Sequence, residues 1–207
     1  MANEMTKLTA LVAGIALATT AFAAFDDITV EKYPDADAVL VDGLEEITYN
    51  PDGTYVSTDT SVVKILTEKG RREESEIELG YSARYGKSEV LRVSVTGADG
   101  QEREIDVSKT TKESTDNSSE AENIYDPMHK KVVCTIPGLK VGDVIRYTTR
   151  RSVFKSRIKD QFADIAVMEW KSPIVRQTVR VTAPKERPLR RIAVRNPLGL
   201  PAAREAF

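Results

Sequence analysis

Apolar and polar residues alternate with a period of two along much of this chain, and that period fits half-buried strands, not helices. In residues 75–79 (SEIEL), Ile77 and Leu79 share one face while Glu76 and Glu78 share the other. Residues 91–95 (LRVSV) set Leu91, Val93 and Val95 inward against Arg92 and Ser94. Residues 144–150 set Ile145 and Tyr147 against Arg146 and Thr148. Residues 175–181 set Val175, Val179 and Val181 against Arg176, Thr178 and Arg180. More continuous β-rich runs lie at 38–44, 62–66 and 131–136. Turn chemistry separates these runs: Asn50-Pro51-Asp52-Gly53, Ala98-Asp99-Gly100, Pro137-Gly138 and Gly142-Asp143. Asp-Gly between alternating strands is a hairpin signal, because glycine accepts positive φ without steric cost. The spacing predicts roughly nine to eleven strands. It predicts an all-β fold, an antiparallel β-sandwich-like domain of hairpins with at most one short helix. The helical candidate is residues 160–170 (DQFADIAVMEW), where Phe162, Ile165 and Met168 recur every third position; the same stretch also reads as extended.

The first 23 residues read as an address. Residues 8–18 (LTALVAGIALA) form an apolar run, and residues 19–23 (TTAFA) end in an A-x-A cleavage pattern. Cleavage is expected after Ala23, with Ala24 as the alternative. An 11-residue run is too short for a membrane-spanning helix, which needs roughly 20 apolar residues. The expected product is periplasmic or extracellular and not membrane-spanning. The expected organisation is signal peptide 1–23, lead-in 24–34, β-sandwich domain 35–195 and C-terminal tail 196–207. Within the domain, residues 108–122 (SKTTKESTDNSSEAE) hold one apolar residue, Ala121, and read as a mobile polar loop.

Composition narrows the chemistry. Apolar residues make up 41% and charged residues 30%, which excludes fibrous or wholly disordered classes. The net charge of −2 argues against a nucleic-acid partner. One cysteine, Cys134, excludes an internal disulfide and a cysteine-based zinc site. One histidine, His129, excludes any site that needs two. Charge is nonetheless uneven. Residues 24–128 carry 11 basic and 25 acidic side chains, whereas residues 129–207 carry 18 and 6. Three readings compete: the halves pair across one sheet or sandwich, the basic half binds a polyanion, for which anionic envelope polymers remain open, or the asymmetry is accidental. The first is favoured, since a solvated strand needs polar outward residues in any case.

No motif for a reaction is present, and no catalytic residue, cofactor site or metal site is expected. Cys134 sits in a strand-like run, five residues after His129, and positions five apart on a strand face opposite sides. That fits a small buried hydrophobe, not a nucleophile. His129 is expected in a loop. Trp170 could serve as a stacking platform for a sugar, but a lone tryptophan is more often a core residue. Glu45/Glu46 and Glu73/Glu74 read as solvated faces.

Several segments together resemble one family. Asp35-Ala36-Asp37-Ala38-Val39-Leu40 looks like its opening strand. Asn50-Pro51-Asp52-Gly53, followed by Val62 through Gly70 (VVKILTEKG), looks like its second block. Residues 90–95 with Gly97-Ala98-Asp99-Gly100 resemble its strand-and-turn unit. Residues 136–147 (IPGLKVGDVIRY) are the most specific stretch, and residues 170–184 look like a later strand. The family is the bacterial domain of unknown function 3857, and the resemblance covers about Asp35 to Arg195. It implies an exported all-β module, usually found upstream of a transglutaminase-like domain and without established catalytic residues. A transglutaminase-like core needs a Cys, His and Asp constellation, and Cys134 does not correspond to its nucleophile. The sequence given reaches Phe207 ahead of such a core, and a truncated, fragmentary or stand-alone form is expected.

The leading expectation is a non-catalytic module that contacts a protein or a cell-envelope polymer, or supports a transglutaminase-like partner domain. The alternative is the front of a transglutaminase-like cysteine peptidase or acyltransferase. Carbohydrate binding through Trp170 or tyrosines is a third option. Ligand and oligomeric state are not readable from the residues.

Overall fold

The computed structural model describes residues 25–118, 125–165 and 172–189. Nine strands are present among them: β1 Ala38–Tyr49, β2 Tyr55–Ile65, β3 Glu76–Ser82, β4 Gly86–Thr96, β5 Glu102–Ile105, β6 Thr111–Thr115, β7 His129–Thr135, β8 Val144–Val153 and β9 Gln177–Thr182. Two short helices join them, α1 Glu68–Glu73 and α2 Val107–Thr110. One sheet has six strands in the order β5-β4-β8-β2-β1-β9, and the other has three in the order β3-β7-β6. The fold is all-β.

The turns form where the sequence places them. Between β1 and β2, Gly53 donates its N–H to the Asn50 carbonyl at 3.0 Å and takes φ +83°. Between β4 and β5, the Gly97 N–H reaches the Gln101 carbonyl at 2.9 Å.

Residues opposite one another in the ladders share a face, so register identifies the inner side of the large sheet. Ile65, Val63, Ile145, Val93, Val95 and Ile105 lie on it. They pack against Ile77, Val132 and Cys134 of the small sheet, together with Ile136 and Leu139. A smaller cluster of Ile28, Ala36, Val39 and Leu66 involves the opposite side of β1, with Tyr33 and Val41 packed on it. The lead-in therefore contributes Ile28 to a buried cluster.

Asp37 organises the entry to α1. Its carbonyl accepts from the N–H groups of Leu66 at 2.9 Å and Thr67 at 3.2 Å. Its carboxylate accepts from the Thr67 hydroxyl at 2.6 Å and from Lys69 at 2.5 Å. Thr67 caps the helix by accepting from the Gly70 N–H at 3.1 Å. A Cβ on Gly70 would fall 2.0 Å from the Asp37 carbonyl oxygen, so glycine is required there.

Several expectations need correction. Two short helices form instead of at most one, and neither is the candidate. Residues 160–165 are irregular, and the rest of that candidate lies outside the described residues. The stretch 108–122 is not a single loop: 108–110 belong to α2, and Thr111–Thr115 form β6, hydrogen-bonded along β7. Edge pairing does not need apolar side chains, and that defeated the compositional reading. Its last residues, 119–122, lie outside the described residues. Leu91 does not face inward; a bulge between Val90 and Arg92 turns it out to 39% exposure. Val90 takes the inward position before the bulge, and Ser94 is buried on the opposite face. Val175 precedes β9 and is 51% exposed. The antiparallel expectation fails at one junction, where β9 runs parallel to β1. His129 is the first residue of β7, not a loop residue.

Part of the uneven charge is used in strand pairing. Arg150 of β8 meets Glu89 of β4 at 3.0 Å, and Lys131 of β7 meets Glu78 of β3 at 2.7 Å. Arg176 forms a two-point contact with Asp42 of β1 at 2.7 and 2.8 Å, and Arg180 of β9 bonds Glu46 of β1. Each pair joins the basic and acidic halves, as the favoured reading requires. Pairs this exposed contribute about 0–1 kcal/mol each.

The Asp37–Gly70 contact makes a direct prediction. Gly70→Ala should lower stability by about 2 kcal/mol through overpacking, whereas Gly80→Ala should leave it within about 1 kcal/mol of the parent. A Cβ at position 80 would meet nothing within 4 Å. Urea unfolding of both variants checks this; equal destabilisation would contradict the contact.

Candidate functional site

The inner face of the large sheet changes character along its strands. On β2, Ile65 and Val63 give way to Ser61, Asp59, Ser57 and Tyr55. On β8, Ile145 gives way to Tyr147, Thr149, Arg151 and Val153, and on β4, Val95 and Val93 lead to Ser88 and Gly86. The apolar half is filled by the small sheet. Beyond the polar half, at the ends of the sheets, lies an open cleft of about 610 Å³.

Three elements wall this cleft. Tyr55, Gly86, Arg151 and Val153 come from the large sheet, and Tyr81, His129 and Lys130 from the small one. The third wall is the strap of residues 156–163, which follows β8. Its root is fixed by Phe154 and Lys155, whose N–H groups both donate to the Tyr85 carbonyl at 3.0 and 3.1 Å. Arg157 lies over the Tyr85 ring, 5.1 Å from its centroid. The Ser156 hydroxyl closes a turn on the Gln161 carbonyl at 2.9 Å. Phe162 then stacks on Tyr49 at 4.4 Å and meets Tyr55 edge-on at 5.3 Å. The strap runs so close to the β1–β2 turn that a Cβ on Gly53 would lie 2.2 Å from the Gln161 carbonyl oxygen.

The cleft is cationic at its surface. Lys87, Lys130, Arg151 and Arg157 line it with His129, against the single carboxylate of Asp116 among the described residues. Lys87 bonds Glu89 at 2.8 Å. Lys130 donates to the Thr115 hydroxyl at 3.2 Å. The Asp116 carboxyl is held below its ordinary range, chiefly by the Ser118 N–H. The Tyr81 hydroxyl donates to Glu113 at 2.7 Å. Desolvation, then that hydrogen bond to a carboxylate, pushes Tyr81 up to about 12, so it stays a neutral donor.

Two carboxylates lie on the polar half of the same face. Glu45 and Asp59 oppose one another across β1 and β2. Burial raises Glu45 despite the Ser57 hydroxyl at 2.9 Å, and Asp164 and Asp59 push it further up. Burial also raises Asp59, against the Ser61 hydroxyl at 2.8 Å. Among the described residues, no group of three or more His, Cys, Asp or Glu could hold a metal ion.

The residues singled out from sequence are not brought together. Cys134 is fully buried, with its Sγ 3.5 Å from the Thr110 hydroxyl. His129 heads the same strand five residues away, a separation of about 17 Å along an extended chain. It lines the cleft and sits 3.9 Å from Asp126. No thiol–imidazole pair exists. Trp170 lies outside the described residues. The aromatic groups that do line the cleft are Tyr55, Tyr81 and Tyr85, which sequence reading did not single out. They share no local motif; only the sheet register gathers them. Among the described residues, no helix is long and apolar enough to cross a membrane.

Comparison with known proteins decides the family. Residues 51–203 match the family model of the domain of unknown function DUF3857, a domain with a solved structure. The chain belongs to this family. The DUF3857 match begins at residue 51, yet β1 lies inside the same six-stranded sheet, so the folded unit starts before the matched residues. A crystal structure of a candidate protease from Parabacteroides distasonis superposes with a TM-score of 0.61 at 15% identity, covering 73% of this chain and 30% of that one. That likeness is one of fold, and this chain spans less than a third of that protein. Weaker similarities are to the CBM3a-L domain of the CipA scaffoldin from the Clostridium thermocellum cellulosome and to leukotriene A4 hydrolase from Saccharomyces cerevisiae. The first has a TM-score of 0.32 at 14% identity, covering 58% of this chain and 69% of that one. The second has a TM-score of 0.30 at 12% identity, covering 62% and 18%. Neither is close enough to carry an argument. No curated protein sequence matches.

The half-buried carboxylates set a pH dependence. A carboxyl raised by folding contributes least once it is ionised, and its penalty vanishes below the ordinary carboxylate range, near about pH 4. Asp59→Asn should therefore stabilise the DUF3857 chain at neutral pH and lose that advantage as pH falls toward the unfolded carboxylate pKa. Urea midpoints across pH check the sign; a gain that grows on acidification would contradict it.

Proposed function

We propose that this chain is an exported, non-catalytic β module that holds an extended polymer in the cleft between its sheets, beside a transglutaminase-like partner domain. The observation that carries this reading is the pairing of an open cleft with a sealed thiol. Tyr55, Tyr81, Tyr85 and Arg151 face a space of about 610 Å³, while Cys134 is fully buried in the core. A cleft of this size suits a ligand segment, and a thiol without access to water or base is inert. Export rests on the apolar run at 8–18 and the A-x-A pattern ending at Ala23. Support of a neighbouring domain rests on the family resemblance.

A second reading has one observation in its favour. The Parabacteroides distasonis structure is more than three times as long as its region of likeness to this chain. On that reading, the fold is the front of a transglutaminase-like cysteine peptidase or acyltransferase, and its catalytic triad is encoded beyond Phe207. Genomic sequence past Phe207 separates the two: an in-frame Cys, His and Asp triad supports the enzyme, and its absence removes it.

The purified chain should retain polymers on a glycan or protein array and show no peptide hydrolysis or acyl transfer. Turnover abolished by Cys134→Ala, without any polymer retained, would overturn the proposal.

A further inference from the structure

Resting on the cleft as a polymer site, we infer that its ligand is an anionic polysaccharide carrying carboxylates. Many of the chain's cations are already paired. Arg150, Lys131, Arg176 and Arg180 each bond a carboxylate on a neighbouring strand. A different set gathers at the cleft. Lys130, Arg151 and Arg157 line it, and none forms an ion pair among the described residues. Lys155 at the root of the strap and Lys159 on it are exposed, also without an ion pair among the described residues.

Arg151 is the central member. It stands on the inner face of β8, level with Ser57 of β2 and Ser88 of β4. Its side chain makes no hydrogen bond among the described residues, and its charge is felt at Glu45. A guanidinium left exposed and unbonded in this position has its planar fork free for a carboxylate. Among the described residues, Asp116 is the only carboxylate on the lining. The lining side chains thus carry more positive than negative charge, although the chain as a whole carries a net charge of −2.

The remaining lining favours sugar rings. Tyr55 and Tyr81 each offer an apolar ring with a hydroxyl at its tip, a combination suited to pyranose faces and their hydroxyl rims, while the Tyr85 ring seats Arg157. Tyr81 is held in place through Glu113. The strap is held by the Phe162 stack and the Tyr85 carbonyl, so Arg157 is presented on a braced wall. Charged groups spaced around an open trough suit a repeating acidic chain better than a single small anion.

Calorimetric titration of the full chain tests this with three probes of equal length: a galacturonate oligomer, a neutral glucose oligomer and an oligoglutamate. The galacturonate oligomer should bind at least about ten-fold more tightly than the neutral one, and the affinity should fall as salt rises. Arg151→Gln should weaken it by about five-fold or more, and Lys130→Gln should weaken it in the same direction. Both residues lie outside the core, so circular dichroism should be unchanged. Equal binding of the neutral oligomer overturns the anionic ligand and leaves the polymer site standing. Oligoglutamate binding as tightly as galacturonate overturns the saccharide. Unchanged affinity in both variants overturns the placement at the cleft. Failure of all three probes to bind overturns this inference and counts against the polymer site itself.

Discussion

The molecule depends on a change of side-chain chemistry half-way along one face of one sheet. Over Val63, Ile65, Val93, Val95 and Ile145, that face is apolar and must leave water. The small sheet supplies Ile77, Val132 and Cys134 to cover it. Burying side chains of this size contributes roughly 1.5–3 kcal/mol each, which fixes the two sheets against each other. Further along the same strands, Ser57, Asp59, Thr149 and Arg151 bring hydroxyls and charge to the face. Ile47 and Tyr49 of β1 are buried opposite Ser57 and Tyr55, and the cleft lies beyond. Core and cleft are thus two ends of one pattern.

Topology explains how a chain with such lopsided charge forms a stable sheet. β8, from the basic half, is inserted between β4 and β2, and β9 is laid along β1. In the small sheet, β7 lies between β3 and β6. β7 and β9 thus lie beside the acidic strands β3 and β1, while β8, whose neighbours β4 and β2 are not acidic overall, reaches a carboxylate through Arg150 and Glu89. The cations left at the cleft end are those without a strand partner of opposite sign.

Much of this was legible in the residues, and the failures have identifiable causes. The hairpins at Asn50–Gly53 and Gly97–Gly100 followed from turn chemistry, and the inward faces of β3 and β8 followed from alternation. Leu91 was misplaced because a bulge breaks the period of two, and no residue there announces a bulge. β6 was missed because an edge strand needs only backbone partners. The burial of Cys134 was readable from its neighbours Val132, Val133 and Ile136. The site was not readable. Tyr55, Tyr81 and the segment from Arg151 to Arg157 are far apart in sequence and meet only through the pairing of β2 with β8 and the packing of the small sheet on the large one. The aromatic residue that sequence reading did raise, Trp170, falls outside the described residues.

The central claim is that the face bearing Val63 and Ile145 is the one turned toward the small sheet. A one-residue slip would exchange it for the face bearing Val62 and Val144. Methyl–methyl nuclear Overhauser contacts decide between them. The structure predicts cross-peaks from Val132 and Ile77 to the cluster of Val63, Val93 and Ile145. Cross-peaks from Val132 to Val62 and Val144, with none to Val63 or Ile145, would contradict it.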